Sequence, residues 1–192
     1  MKLLIEKLRS LSYDIDRNIK IHSPINFVFD GLEQQEMDDL QEDKNFMLDD
    51  KIQLFFSYCS SVEIEWIAKR EEISGAIYIP ELSDIFDVSS DAPTGDNLWL
   101  KNRKLDRNTY HPFDLGISED IVCFKVEKGV VKDNLYLISI YESEVIDMNI
   151  GIKKYIELFL EVKGYNFWQR AFLGLDKDNE ELVKPRVLKL FS

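Results

Sequence analysis

The chain has 192 residues, 45% hydrophobic and 31% charged, with a net charge of −12 and a sequence pI near 4.7. That composition excludes a disordered or fibrous chain, and the length suffices for one domain burying roughly 70% of its unfolded surface. A surface this acidic repels nucleic acid and anionic membrane and attracts basic proteins, with plain solubility as the bland account of the same charge.

No apolar run approaches the ~20 residues that a membrane span needs. Residues 1–7 mix charge into their apolar positions and lack a small-residue cleavage site, so the expected location is the cytoplasm. Leu4, Leu8, Leu11, Ile15 and Ile19 recur every three or four residues and predict an opening amphipathic helix facing the core. Its other face is mixed in charge rather than basic, which argues against a membrane-surface role. Residues 21–29, interrupted by Pro24, read as an extended connection.

Asp30-Gly31-Leu32-Glu33 has the spacing of a capping box, with Asp30 in the Ser/Thr role. The helix it predicts carries Leu32, Met37 and Leu40 among Glu33, Glu36, Asp38, Asp39, Glu42 and Asp43, the densest acidic patch in the chain. A solvated helix face is one reading and a docking surface for a basic partner is the other. The spacing matches no calcium loop. Ile52, Phe55, Phe56 and Cys59 predict a further helix ended by Ser60-Ser61.

Residues 62–67 alternate apolar and acidic, as a half-exposed strand does, with Glu63 and Glu65 on one face and Ile64 and Trp66 on the other. The carboxylates read as the wet side of a sheet more readily than as an acid–base pair. Residues 75–80 form a second short strand, which Pro80 ends. Residues 82–86 are a short turn or helix. Residues 87–97, rich in Ser, Asp, Pro and Gly, predict a mobile loop ahead of Trp99. The basic stretch 102–107 is too short and broken to bind nucleic acid well.

Residues 121–126 and 135–141 read as strands joined by a short link and therefore antiparallel, the second covered on both faces. Asn149 offers an N-cap to a helix whose inner face carries Ile152, Tyr155, Ile156, Phe159 and Leu160. Lys163 suits the helix C-terminus and Gly164 supplies a left-handed ending. Phe167, Trp168, Ala171 and Phe172 predict a short apolar helix, and the apolar end from Val187 to Phe191 is expected to dock back on the domain.

Catalytic residues are hard to find. His22 and His111 lie in segments read as connections, and Cys59 and Cys123 sit in apolar runs as buried reduced thiols. There is no Gly-rich phosphate loop and no Cys/His cluster at zinc spacing. Asp114, Glu119 and Asp120 have the chemistry for a divalent ion, but capping and turn formation explain them more simply.

The order of several segments resembles the SUKH superfamily, which includes bacterial immunity proteins and fungal cell-wall assembly regulators. Residues 48–56 look like the family helix that opens with Leu-Pro, with Asp49 in the place of the Pro and Cys59-Ser60-Ser61 in that of an Asn-Gly turn. Glu65-Trp66, followed by residues 75–86, resembles its Trp strand, Gly-containing strand and Ile-Phe turn. Pro112-Phe113-Asp114 resembles its entry to the central strands. Residues 155–164 resemble its Tyr-Leu-Glu helix ending in Lys-Gly.

The resemblance spans residues 29–173, leaving residues 1–25 as an N-terminal helical elaboration and 174–192 as an extension of a single domain. It implies an α+β fold with a mixed or antiparallel sheet of about six strands flanked by helices. It also implies a non-catalytic binding protein without cofactor or metal. The implied role is an immunity protein neutralising a toxin domain, often a nuclease and so basic, or alternatively a regulator of the cell-wall assembly type. The candidate contact surface combines Asp38, Asp39, Glu42 and Asp43 with the loop near Asp91, Asp96 and Trp99.

Overall fold

The computed structural model describes residues 1–18, 20–70, 72–87, 108–116, 120–139 and 144–191. It is an α+β fold with seven α-helices, a three-stranded sheet and a mixed six-stranded sheet among those residues.

Helix α1 (Lys2–Arg17) buries Leu4, Ile5, Leu8, Leu11 and Ile15, as the periodicity predicts; Ile19 lies outside the described residues. The segment read as an extended connection is a strand, β1 (Ile21–Val28). It pairs antiparallel with β3 (Val62–Ala68), which pairs antiparallel with β4 (Ser74–Ile79). Pro24 falls where the β1–β3 register shifts, between His22 and Ile25, and an edge strand tolerates its missing N–H donor. In β3, Val62, Ile64, Trp66 and Ala68 are buried while Glu63, Glu65 and Ile67 face outward, the half-exposed alternation expected of it.

The second sheet has the order β2 (Met47–Leu48), β7 (Val130–Val131), β6 (Asp120–Glu127), β8 (Tyr136–Ser139), β9 (Val145–Asp147), with β5 (Tyr110–Asp114) also paired to β6. Only β2 and β7 run parallel among its described pairs. Strands β6 and β8 are antiparallel, as their short link requires. From Ile121 to Phe124 β6 is apolar because both its faces are covered: Val122 and Phe124 enter the main core, while Ile121 and Cys123 join Ile138 of β8 in a smaller cluster behind the sheet. Ile140 and Tyr141, read as the end of β8, lie outside the described residues.

Within the mostly aliphatic main core, aromatic rings gather around Phe113. Phe113 meets Phe55, Phe124 and Tyr155 at ring-centroid distances of 6.1, 4.8 and 5.7 Å. It is closed by helices α3 (Asp50–Phe56), α4 (Leu82–Ile85), α5 (Ile152–Val162) and α6 (Trp168–Phe172), whose apolar faces it buries. Helix α3 ends before Cys59, whose buried thiol donates to the Ser61 carbonyl instead. Asn149 does not cap α5; it adopts a left-handed conformation two residues too early. The cap is Asp133, distant in sequence, whose carboxylate accepts the Ile152 N–H at 2.7 Å, and Gly151 leaves room for that carboxylate. At the other end both Lys163 and Gly164 are left-handed.

Trp66, Gly75, Lys163 and Gly164 meet in one knot. Trp66 stands opposite Gly75 in the β3–β4 register, and its indole N–H donates to the Lys163 carbonyl at 2.8 Å. A side chain at Gly75 would overlap the Trp66 ring. The Ala76 N–H then reaches the Gly164 carbonyl, so the helix end is sewn to β4. A π-helical turn (Asn179–Val183) leads to α7 (Lys184–Leu190), which docks Val187 and Leu190 on the domain, with Phe191 edge-on to Trp66.

No helix among the described residues is long and apolar enough to cross a membrane.

Gly31 is set against the backbone of Ser57, and a Cβ there would overlap the Ser57 carbonyl. Gly31→Ala is expected to lower stability by about 1–3 kcal/mol, the usual range for overpacking, read as a shift of the urea midpoint. An unchanged midpoint would show that the 29–33 segment moves aside freely.

Candidate interaction surface

The acidic patch forms a helix as predicted, α2 (Gln34–Lys44), but its cap differs. The Glu33 N–H donates to the Glu36 carboxylate at 2.7 Å, placing the capping box three residues later than the Asp30 reading. Asp30 instead pairs with Arg9 at 2.8 Å, and Leu32 packs ahead of the helix rather than within it. The reason is steric: Gly31 and Leu32 are occupied in tying the chain to the end of α3, where the Leu32 N–H donates to the Phe56 carbonyl.

Helix α2 is held by few apolar side chains. Met37 is its buried residue, with Leu40 half-buried. The rest of its anchorage is polar: Gln34 Nε2 donates to Gln53 on α3 at 3.1 Å, and the Leu48 N–H donates to Gln41 Oε1 at 2.8 Å. Every acid on α2 is consequently exposed, with Asp38, Asp39, Glu42 and Asp43 spread over its outer turns. Asp38 and Asp39 accept hydrogen bonds from the neutral amides of Gln34 and Gln35. Lys44 lies 3.3 Å from Asp43. No ion pair reaches Asp38, Asp39 or Glu42 among the described residues. The helix therefore projects uncompensated negative charge, felt by a partner over a Debye length of about 8 Å at physiological salt.

Asp91, Asp96 and Trp99, the other half of the expected surface, lie outside the described residues, as do residues 88–97 of the predicted loop and the basic stretch 102–107.

Both histidines lie on strands rather than in connections: His22 is exposed on β1, and His111 is buried on β5 with its ring 4.8 Å from Phe86. Both thiols are buried, and loss of solvation pushes Cys59 up to about 12 and Cys123 higher still. Of the acids considered for a divalent ion, Asp120 is forked by Arg170, Nη2 at 3.1 Å, and Glu119 lies outside the described residues. No cluster of metal-ligating side chains occurs among the described residues.

Asp114 has a role that local sequence does not reveal. Its Oδ1 accepts the Tyr78 and Gly116 N–H groups, both at 2.9 Å, and its Oδ2 accepts the Tyr155 hydroxyl. Gln169 Nε2 donates to the same hydroxyl at 3.0 Å. One buried carboxylate thus joins β4, β5, α5 and α6. Burial raises its pKa and the three donors pull it back; burial also holds the Tyr155 hydroxyl well above its ordinary value. The arrangement is a structural tie, sealed from solvent.

A second surface escapes a reading based on acids alone. Ile25, Phe27 and Phe29 are exposed along β1 and its continuation, and Ile67 is exposed on β3. Alternating apolar residues from position 25 to 29 are the sequence signal, masked there by Pro24.

No family model matches the chain, and no curated protein matches it.

Proposed function

We propose that this chain is a non-catalytic binding protein of the SUKH type, acting in the cytoplasm as an immunity protein that captures and neutralises a basic toxin domain. The observation that carries the reading is α2, an exposed helix whose Asp38, Asp39 and Glu42 have no ion-pair partner among the described residues. Nuclease domains hold phosphates and are basic for that reason. An acidic helix standing out from the domain accelerates encounter with such a partner and selects against acidic ones. The SUKH part of the reading rests on the order of the sequence segments, whose Trp66, Gly75 and Lys163-Gly164 positions meet in one knot.

Co-expression with a basic toxin domain from a gene adjacent to its own tests the reading. The wild-type chain is expected to restore growth. The variant D38N/D39N/E42Q/D43N is expected to lose that rescue while its stability stays within about 0.5 kcal/mol of wild type, as exposed substitutions usually do. Equal rescue by the variant removes α2 from the contact. No rescue by the wild type removes the immunity role and favours a regulator on the same fold.

A further inference from the structure

We propose that the outward face of the three-stranded sheet is a second docking surface, taking an extended basic segment of a partner protein whose lysines or arginines alternate with apolar side chains. The inference stands independently of α2.

The strand registers place the outward side chains in three rows. Phe27, Glu63 and Tyr78 form one row, Ile25, Glu65 and Ala76 the next, and His22, Ile67 and Ser74 the third. Neighbours within a row are about 5 Å apart, so the face reads as one surface. Its composition is unusual for a solvated sheet. The β1 column is apolar at Phe27 and Ile25, 57% and 40% exposed, with His22 beyond them, and Phe29 extends it at a centroid distance of 5.8 Å from Phe27. The middle column is acidic at Glu63 and Glu65, and no ion pair reaches either among the described residues. Between β1 and the end of β5 runs a groove of about 340 Å³, lined by Ile25, Glu63, Glu65, Ala76, Tyr78 and Gly116. Burial raises the pKa of the Tyr78 hydroxyl, with Glu63, Asp84 and Glu81 adding negative potential at that end of the groove.

Exposed apolar side chains in contact with a carboxylate column fit a partner carrying both aliphatic or aromatic groups and cations. A second copy of this chain is a poor occupant, because two such faces would oppose Glu63 and Glu65 to themselves on molecules of charge −12. Addition of a strand to the β1 edge is also disfavoured: Pro24 lacks a donor and the register shift at His22–Ile25 disrupts the edge. The face, rather than the edge, is the site.

The test uses a fluorescein-labelled peptide of strand length alternating lysine with valine and phenylalanine, and its counterpart with glutamate for lysine. Titration into the isotope-labelled full chain is expected to shift the amides of residues 25–27, 63–65 and 76–78 with the lysine peptide and not with the glutamate one. By fluorescence anisotropy, Phe27→Ser and E63Q/E65Q should each weaken binding roughly tenfold, with Glu157→Gln, exposed on α5 and outside both surfaces, binding as wild type. The urea midpoints of the sheet variants, all at exposed or half-exposed positions, serve as the folding control. Shifts confined to α2, or undiminished binding by folded sheet variants, would overturn the proposal. So would a wild-type dimer in sedimentation equilibrium that Phe27→Ser dissociates, since the occupant would then be a second copy.

Discussion

Trp66→Ala is expected to lower the stability of the domain by about 3–5 kcal/mol, the range for emptying a buried aromatic site. The side chain is fully buried and the gap it leaves is poorly filled by collapse, because it rests on Gly75, whose backbone already lies against the Gly164 carbonyl. Three further losses coincide. The Lys163 carbonyl at the end of α5 loses its donor, the β4–α5 seam loses its spacer, and Phe191 loses the ring that anchors the C-terminal helix. Urea unfolding at constant m-value measures the effect. Trp66→Phe keeps most of the ring contact and removes the N–H, so about 1–2 kcal/mol is expected of it. A small effect for alanine would mean that the knot is incidental to the stability of the fold.

Asp114→Ala is expected to cost about 3 kcal/mol or more, since it orphans the Tyr78 and Gly116 N–H groups and the Tyr155 hydroxyl together. Tyr155→Phe, which leaves the carboxylate and Gln169 short of one partner each, should cost about 2 kcal/mol. The pH dependence separates the carboxylate's charge from its hydrogen bonds. Burial raises the folded-state pKa of Asp114 above its ordinary 3.8, so the folded protein holds this proton more tightly than the unfolded chain does. Its contribution to stability therefore falls as pH rises from the unfolded value through the raised folded value, and is flat above that. Asp114→Asn removes the titration. The wild-type stability relative to this variant should decline across that window and then level off. A gap that widens in favour of wild type with rising pH would mean that the hydrogen bonds outweigh burial.

The periodic elements were legible from residue order. Helices α1 and α5 carry their apolar residues at helical spacing, and β3 alternates, because each buries one face against a single core. What local pattern does not encode is a partner distant in sequence. Asn149 looks like the cap of α5, yet Asp133 takes the role because the β7–β8 link carries it to the helix start. Asp30 has the spacing of a cap, yet close contact between Gly31 and Ser57 holds the chain extended until Glu33. Pro24 disguises β1, which an edge position and a register shift make acceptable. The acids of α2 stand exposed as composition implied, whereas the apolar column beside Glu63 and Glu65 emerges only once β1 is paired to β3.

Binding through uncompensated acids makes a direct thermodynamic prediction. Calorimetric titration of the purified chain with a basic toxin domain from a gene adjacent to its own, at low and at high salt, measures it. A stoichiometric complex is predicted, weakening as salt rises and weakening at low salt when Asp38, Asp39, Glu42 and Asp43 are neutralised. No complex, or one whose affinity ignores both salt and those substitutions, would contradict the account.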